Sequence, residues 1–288
     1  MSTPTVLVTG AGGHLGGRVV ELLLATQGVS IIATTRDPAR LAGFAARGVD
    51  VRRADFADEA SLAGAFAGAE RALLVSTDAV GHRVAAHTAA IRAFERAGVR
   101  HVVYTSAPLA PSLGVVGDEH RATEAALAAS SLDHTLLRNN LYADLWLQSL
   151  PAAVASGQLV DARGTGAVAW VTREDCARAA AAALIETTTG RRAHDITGPT
   201  AVTSAEVAAM VSQLVGRPVR HVSVSVDALV AGMVEHGLPE PVARVYAAFD
   251  VAIARGELAA ASPAVAQLTG TPPQRLDAFL RANRAALG

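Results

Sequence analysis

Thr5-Val6-Leu7-Val8-Thr9-Gly10-Ala11-Gly12-Gly13-His14-Leu15-Gly16-Gly17 is the stretch whose reading decides the fold. Val6, Leu7 and Val8 form a short apolar run, the pattern of a strand buried on both faces. Gly10, Gly13 and Gly16 follow at a spacing of three. Leu15, Val19, Leu22 and Leu23 then recur with helical period. Glycines at this spacing also serve a tight turn that only needs φ > 0. The strand before them and the helix after them favour a turn that holds a dinucleotide. Pyrophosphate has to approach the backbone where a Cβ would intrude, against the free N–H groups that open a helix. Gly10, Gly13, His14, Leu15 and Gly16 are therefore expected to contact a cofactor.

Bulk composition narrows the class. The chain has 288 residues, 51% of them hydrophobic, enough for a large core and too apolar for a disordered chain. Its formal net charge of −1 comes from 25 basic and 26 acidic residues spread along the chain, so no basic stripe points to nucleic acid or a membrane surface. Every basic residue is arginine; lysine is absent. A single cysteine, Cys176, excludes an internal disulfide and a thiolate metal cluster, so no metal site is expected, and its Ala-rich surroundings read as a buried, inert thiol. The first strand begins so close to Met1 that a cytoplasmic protein without a signal peptide or membrane span is expected.

Working outward, residues 29–35 read as a second strand ending at Arg36. That is the distance past the glycines at which the dinucleotide fold selects its ribose. An acid there bonds the 2′-hydroxyl of NAD, and arginine accepts the 2′-phosphate of NADP. Arg36 with Arg40 one turn on suits a phosphate dianion, which favours NADP. Asp37 keeps NAD open. Residues 49–53 read as a third strand. Asp55 and Phe56 after it can meet an adenine, and Asp55 can equally cap its own turn. A fourth strand over 71–76 ends in Ser76-Thr77, small hydroxyl residues past which a cofactor can run. A helix over 82–97 carries His82 and His87, both read as surface residues. Strands over 101–105 and 132–137, with a helix over 118–129 between them, complete the alternation. Five strand–helix repeats predict a doubly wound parallel Rossmann sheet, an α/β fold with ligands beyond the carboxyl ends of its strands. Residues 1–140 are expected to form the dinucleotide domain, with 168–190 rejoining it. Residues 141–167 and 191–288 are expected to form a smaller mixed α/β lobe for the substrate. A helix over 141–155 would set Tyr142 and Trp146 on one face, as pocket walls or as core.

With these pieces in place, the chain resembles the atypical short-chain dehydrogenase/reductase superfamily, specifically its NmrA-like branch, along essentially its whole length. The resemblance rests on Thr9-Gly10-Ala11-Gly12-Gly13-His14-Leu15-Gly16, Thr35-Arg36-Asp37-Pro38-Ala39 and Ala54-Asp55-Phe56. It continues through Tyr104-Thr105-Ser106, Gly117-Asp118-Glu119-His120 with Glu124, and Thr135-Leu136-Leu137-Arg138-Asn139. The nearest likeness is to the flavin-free NAD(P)H:quinone oxidoreductases of that branch. The resemblance implies that Arg36 selects the NADP phosphate and that Asp55, Phe56, Ser76 and Thr77 flank the adenosine. It implies that Ser106, His120 and Asn140 lie near the nicotinamide, with Tyr104 and Thr105 among the cofactor contacts.

The missing lysine then constrains the chemistry. Standard short-chain dehydrogenases pair Tyr with Lys four residues on, the lysine lowering the phenol pKa so that it can protonate a carbonyl oxygen. Three tyrosines, Tyr104, Tyr142 and Tyr246, have no such partner. Alcohol–ketone interconversion by that device is excluded. A quinone needs less help, because conjugation activates its carbonyls and hydride attack leaves a weakly basic oxyanion. Proximity to a stacked nicotinamide supplies much of the barrier reduction. The expected function is an NADPH-dependent reductase of a quinone or similar conjugated carbonyl. His120 is the candidate proton donor or hydrogen-bond partner, or else a helix-end histidine holding the ribose or backbone, and Tyr142 the candidate wall. The second reading is a non-catalytic NAD(P)-binding redox sensor of NmrA type. Oligomeric state stays open between monomer and homodimer.

Overall fold

The computed structural model describes residues 4–287. Its strands are β1 (Thr5–Val8), β2 (Ser30–Thr35), β3 (Asp50–Arg53), β4 (Arg71–Leu74), β5 (His101–Ser106) and β6 (Asp133–Asn139). They continue with β7 (Gln158–Asp161), β8 (Ala167–Val168), β9 (Arg191–Ile196), β10 (Val202–Thr203) and β11 (Arg220–Ser223). Seven of them form one sheet in the order β3-β2-β1-β4-β5-β6-β9, with every pairing parallel. The chain runs outward from β1 to β3 and then returns to the other side of β1 as β4. That reversal opens a crevice beyond the carboxyl ends of β1 and β4.

The apolar runs of these strands are long because both faces are covered. Val6 and Val8 point to one face and Leu7 to the other; Ile31 and Ala33 alternate likewise with Ile32. The first face is packed by the helices His14–Leu24 and Arg173–Ile185, and the second by Glu59–Phe66, Arg83–Ala97 and Gly114–Ala129. Alanines 177, 179, 180 and 183 let Arg173–Ile185 lie close on its neighbour, and Cys176 among them is fully buried. Burying each Leu or Val of this kind stabilises the fold by roughly 1.5–3 kcal/mol. Thr172 caps the same helix by accepting from the Asp175 amide, where a Ser or Thr cap contributes about 1 kcal/mol.

A second core gathers Trp146, Leu150, Trp170, Val207, Val211, Ile253, Phe279 and Leu280. Around it β7 pairs in parallel with β11, and β8 pairs antiparallel with β10. Strand β7 was not expected from sequence: only Leu159 and Asp161 of its four residues are buried.

Two boundaries need correction. Arg191–Ile196, expected in the smaller lobe, is the edge strand of the main sheet beside β6. The helix Ala264–Thr269 likewise buries Ala264 and Val265 in the first core. In β9 only Ile196 is buried, so its alternating polar pattern concealed a sheet strand. The second correction concerns Tyr142. It has extended backbone (φ −75°, ψ 128°) and bridges Val171, while the α-helix begins only at Trp146. The two aromatics therefore share no helix face. Tyr142 packs on the sheet core, and Trp146 packs at a tilt against Trp170 in the second core, ring centroids 4.9 Å apart. The segment stays extended because the Asn140 side chain accepts from the Leu141 amide and Val171 N–H donates to the Leu141 carbonyl.

Candidate active site

At the β1 end the glycines are required by contact. A Cβ on Gly16 would stand 2.8 Å from the Gly10 carbonyl carbon and closer still to its oxygen. On Gly12 it would meet Thr35 Oγ1 at 3.0 Å. Gly10 itself has φ +62°, a conformation side chains rarely adopt. Gly13 precedes the helix in extended conformation and supplies no side-chain cap, so the first-turn amides after it are left for an incoming acceptor. Next to this turn, Arg36 is exposed and makes no hydrogen bond or ion pair among the described residues. Asp37 accepts from the Ala39 amide at 3.1 Å, so its carboxylate is occupied in its own turn. Arg40 donates to the Gly12 carbonyl. The cradle thus offers amides and a free guanidinium, a donor set that fits a dinucleotide carrying a 2′-phosphate.

Asp55 and Phe56 sit beyond β3. The Asp55 carboxylate accepts from the Ala57 amide and its backbone N–H donates to Ser61 Oγ, which is the turn-capping arrangement. Phe56 is half-buried against the second face of the sheet.

Further along the crevice, side chains tie each strand end to the next. Thr9 Oγ1 donates to the Leu73 carbonyl and accepts from the Val75 amide, linking β1 to β4. Thr105 Oγ1 accepts from the Ser76 amide at 2.8 Å, linking β4 to β5. Ser106 Oγ donates to Glu124 at 2.7 Å, and Glu124 accepts a two-pronged ion pair from Arg138 of β6. The Asn140 amide donates to the Leu258 carbonyl at 3.0 Å and so ties β6 to the smaller lobe. Thr105, Ser106 and Asn140 are each at most 4% exposed, so these hydroxyls and this amide shape the crevice while serving one another. Ser76 and Thr77 remain half-buried on its rim.

Tyr104 has no exposed surface, and its hydroxyl lies 2.7 Å from His120 Nδ1. The phenol addresses the histidine rather than anything entering the crevice. Burial pushes Tyr104 up to about 12 and, with Arg83 nearby, His120 down to about 3, so both are neutral near pH 7. His120 Nε2 has no hydrogen-bond partner among the described residues and is not sealed from solvent. His87 was expected on the surface; it is fully buried, and burial pushes it down to about 3. Its Nε2 accepts from the Thr77 amide at 3.2 Å and its Nδ1 faces Thr123 Oγ1 at 3.0 Å. Nothing in the periodicity marked it, because the helix Arg83–Ala97 turns His87 and His82 to different faces and only the sheet says which face is inside. Burial also raises the Tyr142 phenol, which accepts from Asn139 Nδ2 and lies under the Arg173 guanidinium.

Sequence reasoning missed the Arg83–Glu119 pair. Arg83 Nε donates to the Thr77 carbonyl, while Glu119 accepts from the Gly81 and Arg83 amides. Together they hold the loop after β4 on the helix Gly114–Ala129. Glu119 lay within the Gly117-Asp118-Glu119-His120 stretch, but its partner is 36 residues upstream.

Among the described residues no group of His, Cys, Asp and Glu is disposed to hold a metal ion, and no helix is long and apolar enough to cross a membrane. A parallel sheet with a glycine cradle at its point of reversal, and neutral Tyr and His beyond it, defines a dinucleotide-binding protein of Rossmann architecture. The chain belongs to the NmrA-like family, which its residues 2–267 match. It is 38% identical over 275 residues to quinone oxidoreductase 2 of Escherichia coli, covering 94% of this chain and 96% of that protein. It is 30% identical over 285 residues to the NAD(P)H azoreductase of Xenophilus azovorans, covering 98% and 99%. The crystal structure of the E. coli NADPH-dependent quinone oxidoreductase complexed with NADPH superposes with a TM-score of 0.91 at 36% identity, covering 98% of this chain and 99% of that one.

Proposed function

We propose that this protein is an NADPH-dependent, flavin-free oxidoreductase that reduces a quinone or a comparably conjugated acceptor. The observation that carries the reading is the state of the carboxyl-end crevice. Most of its polar side chains are spent on each other, His120 Nε2 excepted, and the chain holds no lysine that could lower a tyrosine pKa. A site of that kind suits an acceptor that needs orientation more than an acid. The two relatives named as a quinone oxidoreductase and an azoreductase support this reading over a purely regulatory one.

In this reading the first-turn amides around His14 to Gly16 hold the pyrophosphate and Arg36 holds the 2′-phosphate. Ser76 and Thr77 border the path between them and the nicotinamide. Reduced nicotinamide, when bound, supplies hydride. Thr105, Ser106 and Asn140 keep the strand ends rigid around it, and Tyr142 forms part of the wall against which the acceptor lies. Asp55 and Phe56 border the adenosine, Phe56 through its ring. The protein works as a soluble cytoplasmic enzyme in this reading.

The test is NADPH oxidation with a simple benzoquinone in flavin-free buffer. Turnover well above the uncatalysed rate is expected. No acceleration, with NADPH binding demonstrated by calorimetry on the same sample, would overturn the proposal.

A further inference from the structure

The hydrogen bonds around Tyr104 determine where its proton goes. His87 Nε2 accepts from the Thr77 amide, so in the neutral ring Nδ1 carries the hydrogen and donates to Thr123 Oγ1. Thr123 Oγ1 in turn donates to the Glu119 carbonyl at 3.0 Å. His120 Nδ1 lies 2.7 Å from the Tyr104 hydroxyl, with the Thr123 and Ser76 hydroxyls also beside the phenol. A buried phenol keeps its hydrogen bond, and its contact of 2.7 Å with Nδ1 is the one to which it donates. The second nitrogen of a neutral imidazole must then bear the hydrogen.

The geometry points to Tyr104 as a positioning residue that fixes the His120 tautomer with its proton on Nε2, making that N–H a hydrogen-bond donor to the acceptor oxygen during hydride transfer. The inference rests on the reductase reading above. Hydride carries one hydrogen and two electrons to the acceptor, whose oxygen gains the negative charge. The imidazole donates a hydrogen bond to that oxygen and keeps its proton, and water protonates the product afterwards. A fixed neutral donor aimed at developing charge requires no reorganisation at the moment of reaction. His87 extends the same device: it anchors the Thr77 amide on the cofactor side, and its ring lies edge-on to Tyr104 at 5.5 Å.

Two measurements test it. A heteronuclear histidine NMR spectrum of the wild-type protein, with NADP and without acceptor, is expected to show His120 protonated at Nε2 and unprotonated at Nδ1. The Tyr104→Phe variant is expected to show a mixture of tautomers. In parallel, His120→Gln places an amide N–H near the Nε2 position, and His120→Asn places one near Nδ1. His120→Gln should keep kcat within about 10-fold of wild type and His120→Asn should lose about 100-fold, with NADPH affinity unchanged in both. A proton found on Nδ1, or His120→Asn as active as His120→Gln, overturns the inference. The tautomer is read without any acceptor, so failure of the quinone assay leaves that result standing.

Discussion

The two ends of the crevice are built on opposite plans. At the β1–β2 end the ligand-facing groups are backbone amides and an exposed Arg36 that has no partner among the described residues. At the β5–β6 end the polar side chains are buried and paired: Ser106 with Glu124 and Arg138, Tyr104 with His120, Asn140 with Leu258. In the proposed reading the difference follows from what each end meets. A pyrophosphate is a fixed, highly charged group that rewards free donors. A nicotinamide and a flat acceptor reward shape, and shape requires side chains that do not move.

The largest expected effect tests how tightly the β5–β6 end is locked. Glu124→Ala leaves the Arg138 guanidinium largely buried without its partner and frees Ser106, which should cost about 3 kcal/mol in urea unfolding. A loss below about 1 kcal/mol would show that this end does not depend on its closed network. Gly16→Ala probes the other end, where backbone geometry dominates. NADPH affinity by calorimetry should fall about 100-fold, close to 3 kcal/mol, because the new Cβ collides with the Gly10 carbonyl. Arg36→Ala, on the same side, should weaken NADPH about 10-fold and leave NADH unchanged; equal losses for both cofactors would remove the arginine from the 2′-phosphate.

The buried histidines give the contrast a pH dependence. His87 and His120 sit near 3 and His101 near 4 in the fold, against about 6.5 when unfolded, so the unfolded chain binds more protons between those values. Stability is full above the unfolded value and falls as pH drops below it, by about 1 kcal/mol per histidine per pH unit. Thermal melts from pH 7.5 down to about 4.5 should show that fall, and His87→Gln should flatten it by about a third. The smallest effect belongs to Tyr142. Tyr142→Phe should leave kcat within about twofold, because burial keeps the phenol protonated and the ring is what lines the wall. A larger drop would return the hydroxyl to the chemistry.

How legible each end was follows from the same contrast. Gly10 and Gly16 were readable because a left-handed Gly10 and a Gly16 pressed on the Gly10 carbonyl disfavour any side chain, and with Gly13 they leave a mark at fixed spacing. Arg36 could be proposed from the sequence because the fold sets its distance from those glycines. The pairings of Thr9, Thr105, Glu124 and His87 gave no such signal, since each acts on a partner between 10 and 66 residues away in the chain. His87 was placed outside for want of a sheet to define the inside, and Tyr142 was put on a helix because the extended pairing with Val171 is non-local. Strand β9 escaped the main sheet on paper for a related reason: an edge strand needs apolar residues on little of its surface, and here only Ile196 is buried.

The sequence alone determined the doubly wound parallel sheet, the cofactor turn and the lack of a Tyr–Lys pair, because these depend on local periodicity, on glycine sterics and on composition. Only the tertiary structure decided which hydroxyls face one another, which histidines lose their water, and that the Tyr104 hydroxyl meets His120 Nδ1. Those outcomes depend on burial and on contacts between distant segments, and neither is written in the order of residues along any one segment.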